Sequence, residues 1–338
     1  MSRITVLGSG AWGTAIALSL ARRGDHEVTL WSHRAEAAEA LNRGRENLHF
    51  LPGFPFLDSL KGTSDDALAV ADAEILVCAV PSEFLRRTLT RLGQYIHPGV
   101  VLVSATKGIE DHTFLRMSEV IESCLPGEIR GKVAVGALSG PSFAQEVAAG
   151  MPTAVAIAFD QANIASLIQK EFSSSTLRLY TNDDLIGVEM GGALKNVIAI
   201  AAGVLAGLGL GLNSAAGLIT RGIAETTRLA VAAGGRRETL SGLSGVGDLV
   251  LTCTGSLSRN RSVGFELGRG RKLPEILAGL DGKVAEGVRT TRAALGLARK
   301  LGVEMPITEQ MELILDEGKN PKEAIRDLML RPGRDEED

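Results

Sequence analysis

Cysteine is scarce in this sequence, which limits the classes of fold and the cellular compartments that the sequence fits. Its 338 residues include only Cys78, Cys124 and Cys253, which are far apart and form no CxxC or histidine-rich pattern. An odd number with this spacing argues against a disulfide framework and against a zinc site. We therefore expect a protein of the reducing cytoplasm without a metal site.

An excess of charge of one sign is also missing. The chain has 36 Lys and Arg against 40 Asp and Glu, a net charge of -4. Such a balance gives no general attraction to nucleic acid or to an anionic membrane, so neither is expected as a partner. An anionic small molecule would have to be bound by locally placed cations, and arginines therefore matter by position.

No apolar run is long enough to be read as a membrane span. Residues 197–212 form an uncharged stretch of 16 residues, short of the roughly 20 that cross a bilayer. Because Lys195 lies just before it, we expect a buried core helix. Gly203, Gly207 and Gly211 recur at four-residue spacing and would let another helix approach closely, within the chain or in a homodimer.

The strongest positive signal stands almost at the first residue. Residues 3–20 read RITVLGSGAWGTAIALSL, a β-branched run, a GxGxxG loop and an apolar helix pattern. Gly8 allows a tight strand-to-helix turn, Gly10 a close approach to a pyrophosphate, and Gly13 close helix packing. The flanking strand and helix signals predict a dinucleotide site. A glycine turn of another α/β fold or a loop for S-adenosylmethionine is the alternative, and no export signal is expected.

Short apolar runs alternate with helical patterns over the first half of the chain. The runs lie at residues 4–7, 28–31, 75–80, 100–105 and 133–138, and two later ones at 154–158 and 177–180 extend the series. This alternation predicts an α/β fold with a Rossmann-type, doubly wound, mostly parallel sheet. After Asp184 only helical patterns follow. We expect a dinucleotide-binding domain over residues 1–186, an all-helical substrate-binding domain over 187–330, and a charged flexible tail over 331–338.

Polar residues follow the predicted strands, where the ligands of an open α/β sheet bind. They are Ser32-His33-Arg34, Pro81-Ser82, Thr106-Lys107-Gly108 and Ser139-Gly140-Pro141-Ser142. A site specific for NAD usually has Asp or Glu at the end of the second strand. His33 and Arg34 instead favour a 2′-phosphate, and so NADP over NAD, unless Arg34 stacks on adenine or points to solvent.

Two lysines are candidates for the chemistry. Lys107 follows a strand at the ligand end, where a solvated loop lysine is an equal alternative. Lys195 opens the most apolar helix pattern, where a lysine is costly unless it snorkels outward or has a purpose. Burial and a neighbouring cation such as Lys107 would lower its pKa, as a lysine acid/base requires. We favour a catalytic role for Lys195.

Further polar residues stand at predicted helix starts. Ser142 and Gln145 have the spacing of a capping box, which alone would explain the serine. Asp248 lies in a glycine-rich turn, where a helix cap is the alternative to a site role. The segment 258–260, Ser-Arg-Asn, would bind a phosphate together with helix N–H groups. Its alternative is a solvated basic turn.

Eight segments carry a resemblance to a known family. They are GSGAWGTA, the LPG at 51–53, SATKGIE, LSGPSFAQEV, GGALKNVIAIAAG, LSGVGDL, GSLSRNRSVG and VAEGVRTT. In this order, from residue 4 to about 330, they closely resemble bacterial NAD(P)-dependent glycerol-3-phosphate dehydrogenases. The resemblance implies reversible reduction of dihydroxyacetone phosphate by direct hydride transfer, supplying glycerophospholipid synthesis. The alternatives are a related two-domain dehydrogenase of a 3-hydroxy acid or 6-phosphogluconate, and a non-catalytic NADP-binding redox sensor.

The resemblance also implies roles for individual residues. The cofactor-binding residues already named are Gly8, Gly10, Gly13, His33 and Arg34. The resemblance adds Ala11, Trp12, Phe50, Lys107, Ala144, Arg259, Val284 and Glu286. The implied substrate contacts are Lys107, Gly140, Ser142, Lys195, Asp248, Ser258, Arg259 and Asn260. Lys195 would be the proton acceptor in oxidation, oriented by Asp248 and assisted by Lys107. The chain departs from the family pattern at Ala11, where relatives often have Ser, and at Phe50, where many have Tyr.

Overall fold

Ten strands and seven helices make up the first part of the chain. The computed structural model describes residues 1–280, 284–333 and 335–336. The strands are β1 (Ser2–Leu7), β2 (His26–Trp31), β3 (Glu46–Asn47), β4 (Leu51–Pro55), β5 (Leu60–Thr63), β6 (Ile75–Cys78), β7 (Val101–Ser104), β8 (Ala134–Ser139), β9 (Thr153–Ala158) and β10 (Leu177–Asn182). The helices are α1 (Ala11–Ala21), α2 (Ala35–Gly44), α3 (Asp66–Val70), α4 (Ser82–Leu92), α5 (Met117–Cys124), α6 (Ala144–Ala148) and α7 (Ala162–Phe172), with a 3₁₀ turn at Gly93–Tyr95.

Eight of these strands form one sheet in the order β10-β9-β8-β7-β6-β1-β2-β5. All neighbours are parallel except β8 and β9, which are antiparallel. Leu7 at the end of β1 pairs with Trp31 of β2 and with Cys78 of β6, so the carboxyl ends of these strands lie level. The predicted doubly wound, mostly parallel sheet is confirmed.

Helices cover both faces of the sheet and bury the predicted apolar runs. Ile16 of α1 and Ile168 of α7 lie in the core on one face, and Leu85 of α4 and Ile121 of α5 lie in the core on the other. Because both faces are covered, central strands such as β6 (ILVC) and β7 (VLVS) appear as runs of buried, mostly apolar residues rather than as alternating patterns.

Three strands escaped prediction, for a common reason. β5 is a short edge strand beside β2, and its sequence LKGT has no apolar run. β3 and β4 form a separate two-stranded hairpin, in which the LPG segment contributes proline and glycine to an edge. Such residues are tolerated only at sheet edges, so a pattern search for buried strands does not find them.

The second part of the chain is helical, as predicted. It comprises α8 (Leu185–Gly207), α9 (Leu212–Ala232), α10 (Arg237–Leu240), a π-helical turn at Leu243–Gly247, α11 (Asp248–Thr254), α12 (Arg259–Gly268), α13 (Leu273–Ala278), α14 (Glu286–Leu301), α15 (Pro306–Asp316) and α16 (Pro321–Met329). In the described ranges no strand follows Asn182. The predicted domain boundary after residue 186 falls inside the first turn of α8. Of the predicted tail, residues 334, 337 and 338 lie outside the described residues.

α8 is the central helix of this second part. It is long and apolar enough to cross a membrane, but 89% of its most apolar window is buried inside the protein. The expected core helix is therefore confirmed.

α12 covers the glycine face of α8 within the same chain. A Cβ on Gly203 would overlap the carbonyl oxygen of Arg261, and a Cβ on Gly264 of α12 would overlap that of Ile200. Gly211 was wrongly assigned to this face. It is the N-cap residue of α9, and an added Cβ there would meet no described atom within 4 Å. The glycines thus serve close packing of two helices of one chain.

Candidate active site

The glycine loop between β1 and α1 fits a bound pyrophosphate. Gly8 has φ +116°, and a Cβ there would lie 2.9 Å from Val80 Cγ1. A Cβ on Gly13 would overlap the carbonyl oxygen of Gly8, whereas one on Gly10 would meet no described atom within 4 Å. No described side chain caps α1, and its first turn has no acidic residue, so its N–H groups can receive an anion. The buried indole Nε1 of Trp12 also has no hydrogen-bond partner among the described residues.

Asn47 of the β3–β4 hairpin fastens the hairpin to this loop. Its Nδ2 donates to the carbonyl oxygen of Ser9 and to Thr14 Oγ1, both at 2.8 Å. Its Oδ1 accepts from the N–H of Phe50 at 3.2 Å. The predicted cofactor residue Phe50 therefore lies beside the glycine loop. Sequence reasoning missed Asn47, because its burial becomes visible only in the fold.

Positive charge gathers at the end of β2, where NADP is distinguished from NAD. Ser32 is buried, and the side chains of His33 and Arg34 are exposed. The pKa of His33 is lowered by partial burial and by the charges of Arg34, Arg87 and Arg91. His33 therefore lies close to several guanidinium groups.

Lys107, Lys195 and Asp248 meet in one buried cluster, called here the lysine–aspartate cluster. The carboxylate of Asp248 is 1% exposed, and its Oδ2 lies 2.5 Å from Lys107 Nζ. Its Oδ1 pairs with Lys195 Nζ. Lys195 comes from α8, Asp248 from the start of α11, and Lys107 from the loop after β7. The cluster joins the sheet to the helical domain, with two cations around one carboxylate.

For each of these three residues, the structure excludes the alternative to a site role that the sequence left open. Lys195 does not snorkel outward, because its side chain is 9% exposed and bonds Asp248. Lys107 is not a solvated loop lysine, since it pairs with Asp248 and donates to the carbonyl oxygen of Gly140 at 3.3 Å. Asp248 does not cap α11; Gly247 is the N-cap residue.

The electrostatics of the cluster favour proton exchange at Lys195. The pKa of Lys195 is lowered to about 8, chiefly by burial and also by the charge of Lys107, while the carboxylate of Asp248 opposes the fall. The predicted direction and both predicted causes are confirmed. A pKa near the operating pH suits a group that must both give and take a proton.

Thr252 is a further member of this site that sequence reasoning missed. Lys195 Nζ donates to its Oγ1 at 2.8 Å, and the same hydroxyl donates to the carbonyl oxygen of Asp248 at 2.6 Å. Thr252 stands four residues after Asp248 on α11, so the two side chains share one helix face. That spacing is the signal that could have identified it.

The segment after β8 supports Lys107, although the predicted capping box is wrong. α6 begins at Ala144 with Phe143 as its N-cap residue. The Ser142 hydroxyl instead donates to the carbonyl oxygen of Gly140 at 2.9 Å, the same oxygen that Lys107 binds. Gly140 has φ +146°, and a Cβ there would lie 2.9 Å from Val155 Cα. Since α6 starts two residues after Ser142, the serine is left for the loop rather than for a cap.

The segment 258–260 forms the start of α12, as predicted. Ser258 is its N-cap residue and accepts from the N–H of Arg261 at 3.2 Å. Asn260 is buried; its Nδ2 donates to Asn196 Oδ1 at 2.9 Å, and its Oδ1 accepts from the N–H of Gly287 at 3.0 Å. Asn260 thus joins α8, α12 and α14 beside the lysine–aspartate cluster.

Two charged groups remain at the rim of the cluster. Arg259 is exposed, and its guanidinium makes no hydrogen bond or ion pair within the described ranges. Glu286 is partly exposed; burial raises its pKa, while the charges of Arg259, Lys107 and Lys195 lower it. Glu286 therefore lies within electrostatic reach of all three cations.

The other predicted cofactor residues lie at helix starts or beside them. Ala11 is the first residue of α1, and Ala144 is the first residue of α6. Val284 is partly exposed and lies two residues before Glu286, which begins α14. Arg289 on the first turns of α14 pairs with Glu83 of α4 at 2.7 Å, so this helix is fastened to the dinucleotide-binding side.

A glycine loop shaped for a dinucleotide, on the same sheet edge as a buried lysine with a lowered pKa, is typical of a nicotinamide-dependent dehydrogenase. Comparison with known proteins identifies the family. The model of the NAD-dependent glycerol-3-phosphate dehydrogenase N-terminus matches residues 3–165, and that of its C-terminus matches residues 184–326. The chain belongs to the NAD-dependent glycerol-3-phosphate dehydrogenase family.

Individual relatives are similar over their whole lengths. The chain is 60% identical to the glycerol-3-phosphate dehydrogenase [NAD(P)+] of Acidobacterium capsulatum, over 99% of this chain and 100% of that one. It is 54% identical to the enzyme of the same name from Koribacter versatilis, over 99% of each chain. The crystal structure of glycerol-3-phosphate dehydrogenase from Coxiella burnetii matches with a TM-score of 0.92 and 38% identity, over 98% of this chain and 99% of that one.

Proposed function

We propose that this chain catalyses the reversible NAD(P)H-dependent reduction of dihydroxyacetone phosphate to sn-glycerol 3-phosphate, with Lys195 as the acid and base. The observation that carries the proposal is the buried lysine–aspartate cluster at the sheet edge that holds the glycine loop. Family membership supports the reaction, because the relatives are named for it. The cluster supports the role of the lysine.

Each residue of the lysine–aspartate cluster has its own role in the proposed reaction. The nicotinamide, when bound, exchanges a hydride with C2 of the substrate. In reduction the ammonium form of Lys195 donates a proton to the carbonyl oxygen; in oxidation its neutral amine accepts the proton of the hydroxyl. Asp248 orients Lys195 and balances one of the two positive charges. Lys107 supplies the second positive charge, which stabilises the oxygen as it gains electrons.

The start of α12 supports binding of the substrate phosphate. Arg259 presents an exposed guanidinium, without an ion-pair partner among the described residues, at the first residue of a ten-residue helix. Guanidinium groups and helix N-termini both favour phosphate oxygens.

Arg259→Ala is expected to weaken substrate binding more than turnover. Loss of a charge-assisted contact to a phosphate, of about 1.5–3 kcal/mol, raises the KM for dihydroxyacetone phosphate by roughly 10- to 100-fold. The KM for NADPH should change less. Steady-state kinetics with each substrate varied checks this, with Arg271→Ala on the turn after α12 as a matched surface control. An unchanged KM for the phosphorylated ketone would contradict the proposed phosphate contact.

Further parts of the proposal rest on single features. His33 and Arg34 support NADP as the preferred cofactor, and the three free cysteines support a cytoplasmic protein. Supply of glycerol 3-phosphate for phospholipid synthesis is what membership of this family implies. The homodimer stays a prediction, since α12 of the same chain covers the glycine face that suggested it.

A substrate panel tests the proposed reaction. Oxidation of NADPH and NADH is followed with dihydroxyacetone phosphate and with 3-oxo acids. Reduction of NADP and NAD is followed with 6-phosphogluconate. Rapid oxidation that requires the phosphorylated ketone supports the proposal. Activity with only one of the other substrates would indicate a related dehydrogenase, and binding of NADPH without any turnover would indicate a redox sensor.

A further inference from the structure

The face of α4 that carries Arg91 lies against the end of β2. The guanidinium carbon of Arg91 lies 5.6 Å from the ring centroid of Trp31, the last residue of β2. Arg91 Nη2 also donates to Asp66 Oδ1 at 2.8 Å, and Trp31 Nε1 donates to the same oxygen at 3.1 Å. These contacts fix the position of α4 relative to the strand that ends at the adenosine side of a dinucleotide site.

Arg87 lies one helical turn before Arg91 on the same face of α4. α4 begins just after β6, at the carboxyl edge of the sheet, so Arg87 is nearer to that edge than Arg91. His33 and Arg34 follow the carboxyl end of β2 at the same edge. The topology thus brings Arg87 to the residues that follow β2, although 53 positions separate it from Arg34 in sequence.

The arginines of α4 differ in their partners. Arg91 pairs with Asp66, and Arg86 donates to both carboxylate oxygens of Glu110 at 2.8 Å. Arg87 is exposed, and within the part of the chain that the structure describes its guanidinium has no hydrogen bond or ion pair. The same holds for Arg34. Two unpaired guanidinium groups therefore stand at the end of β2 in a protein whose net charge is -4.

The electrostatic surroundings of His33 agree with this placement of the arginines. After partial burial, the charges of Arg34, Arg87 and Arg91 are what lower its pKa. The imidazole of His33 offers ring nitrogens for hydrogen bonds beside these guanidinium groups. This cluster of positive charges suits a dianion such as a phosphate.

We infer that Arg87 is a cofactor-specificity residue, which binds the 2′-phosphate of NADP together with Arg34. The inference rests on the proposed use of NADP and names a residue outside the β2–α2 segment, where the sequence pattern locates this contact. Two guanidinium groups from separate elements would hold the phosphate from α4 as well as from the start of α2. NAD has a hydroxyl at this position, so Arg87 would contribute nothing to its binding.

Binding of adenosine fragments tests the inference without turnover. Adenosine 2′,5′-bisphosphate and AMP, which differ only in the 2′-phosphate, are titrated calorimetrically into the full chain and its variants. Arg87→Gln is expected to weaken the bisphosphate about tenfold and to leave AMP within about twofold. Arg87→Lys should recover part of the loss, and high salt should shrink the difference because the exposed charges are screened. Arg43→Gln, at the far end of α2, is the control and should behave as wild type.

The possible results distinguish a failure of this inference from a failure of the proposed NADP preference on which it rests. If the wild type binds the bisphosphate no better than AMP, the NADP preference itself is wrong, and the inference falls with it. If the wild type prefers the bisphosphate and Arg87→Gln keeps that preference while Arg34→Gln loses it, Arg34 alone holds the phosphate and the inference is overturned. Equal weakening of both fragments by Arg87→Gln would assign Arg87 to packing and overturn it as well. NADPH and NADH kinetics of the same variants should give the same ratio.

Discussion

Lys195→Met lowers turnover with dihydroxyacetone phosphate by about 10²- to 10⁴-fold, the range that general acid–base catalysis contributes. Methionine fills much of the same space on the buried α8 and removes only the titrating group, so the fold should persist. NADPH affinity should stay within about twofold, because the residues predicted to hold the cofactor lie elsewhere. Initial rates and NADPH fluorescence titration of the same preparation check both parts.

A matched variant separates the loss of catalysis from the loss of a lysine. Lys170→Met removes an exposed lysine from the last turn of α7 and should keep wild-type turnover. Turnover of Lys195→Met equal to that of Lys170→Met would show that Lys195 does not move the proton. Lys195→Ala, which removes the side chain to Cβ, is expected to lose turnover at least as far.

Asp248→Asn produces the second large effect, on both rate and stability. The variant keeps the shape but leaves Lys107 and Lys195 buried around an uncharged amide. Breaking a buried ion pair from one side costs about 3–5 kcal/mol in the free energy of unfolding. Urea denaturation measures this cost, with the exposed Asp160→Asn as a control that should leave the midpoint unchanged.

The rate effect of Asp248→Asn has a defined sign. Asp248 raises the pKa of Lys195, so its removal lets that pKa fall below about 8. A smaller fraction of Lys195 then carries its proton near neutral pH, so the midpoint of the pH profile of kcat/KM for reduction shifts to lower pH. We expect a loss of about 10²- to 10³-fold in reduction, typical of one removed electrostatic contact in a site. A pH profile whose midpoint stays that of the wild type would argue that Asp248 serves the fold alone.

Local patterns account for the parts of the fold that sequence could predict. The glycine loop is encoded within a few residues, because Gly8 needs a positive φ and Gly13 leaves no space for a Cβ. The central strands are buried on both faces and so appear as apolar runs. The edge strand β5 and the β3–β4 hairpin carry no such run, and their pairing depends on neighbours far along the chain.

Long-range contacts explain what could not be predicted in the site. Lys195 was recognisable as a lysine in an apolar helix, but its pairing with Asp248 spans 53 residues and depends on how α11 packs on α8. Ser142 fitted a capping box by spacing, yet α6 starts later and the hydroxyl turns to Gly140. Asn47 and Arg87 gain their positions from tertiary packing alone.

The pH dependence of the reaction in its two directions tests the central claim most directly. With Lys195 of pKa about 8 as the acid and base, kcat/KM for reduction should fall as pH rises through about 8, because the ammonium is lost. For oxidation of glycerol 3-phosphate, kcat/KM should instead rise through the same pH, because the neutral amine is gained. Mirror-image profiles with one shared midpoint, abolished in Lys195→Met, are the predicted result. Profiles that change in the same sense in both directions, or that keep their midpoint in the variant, would contradict the assignment of proton transfer to Lys195.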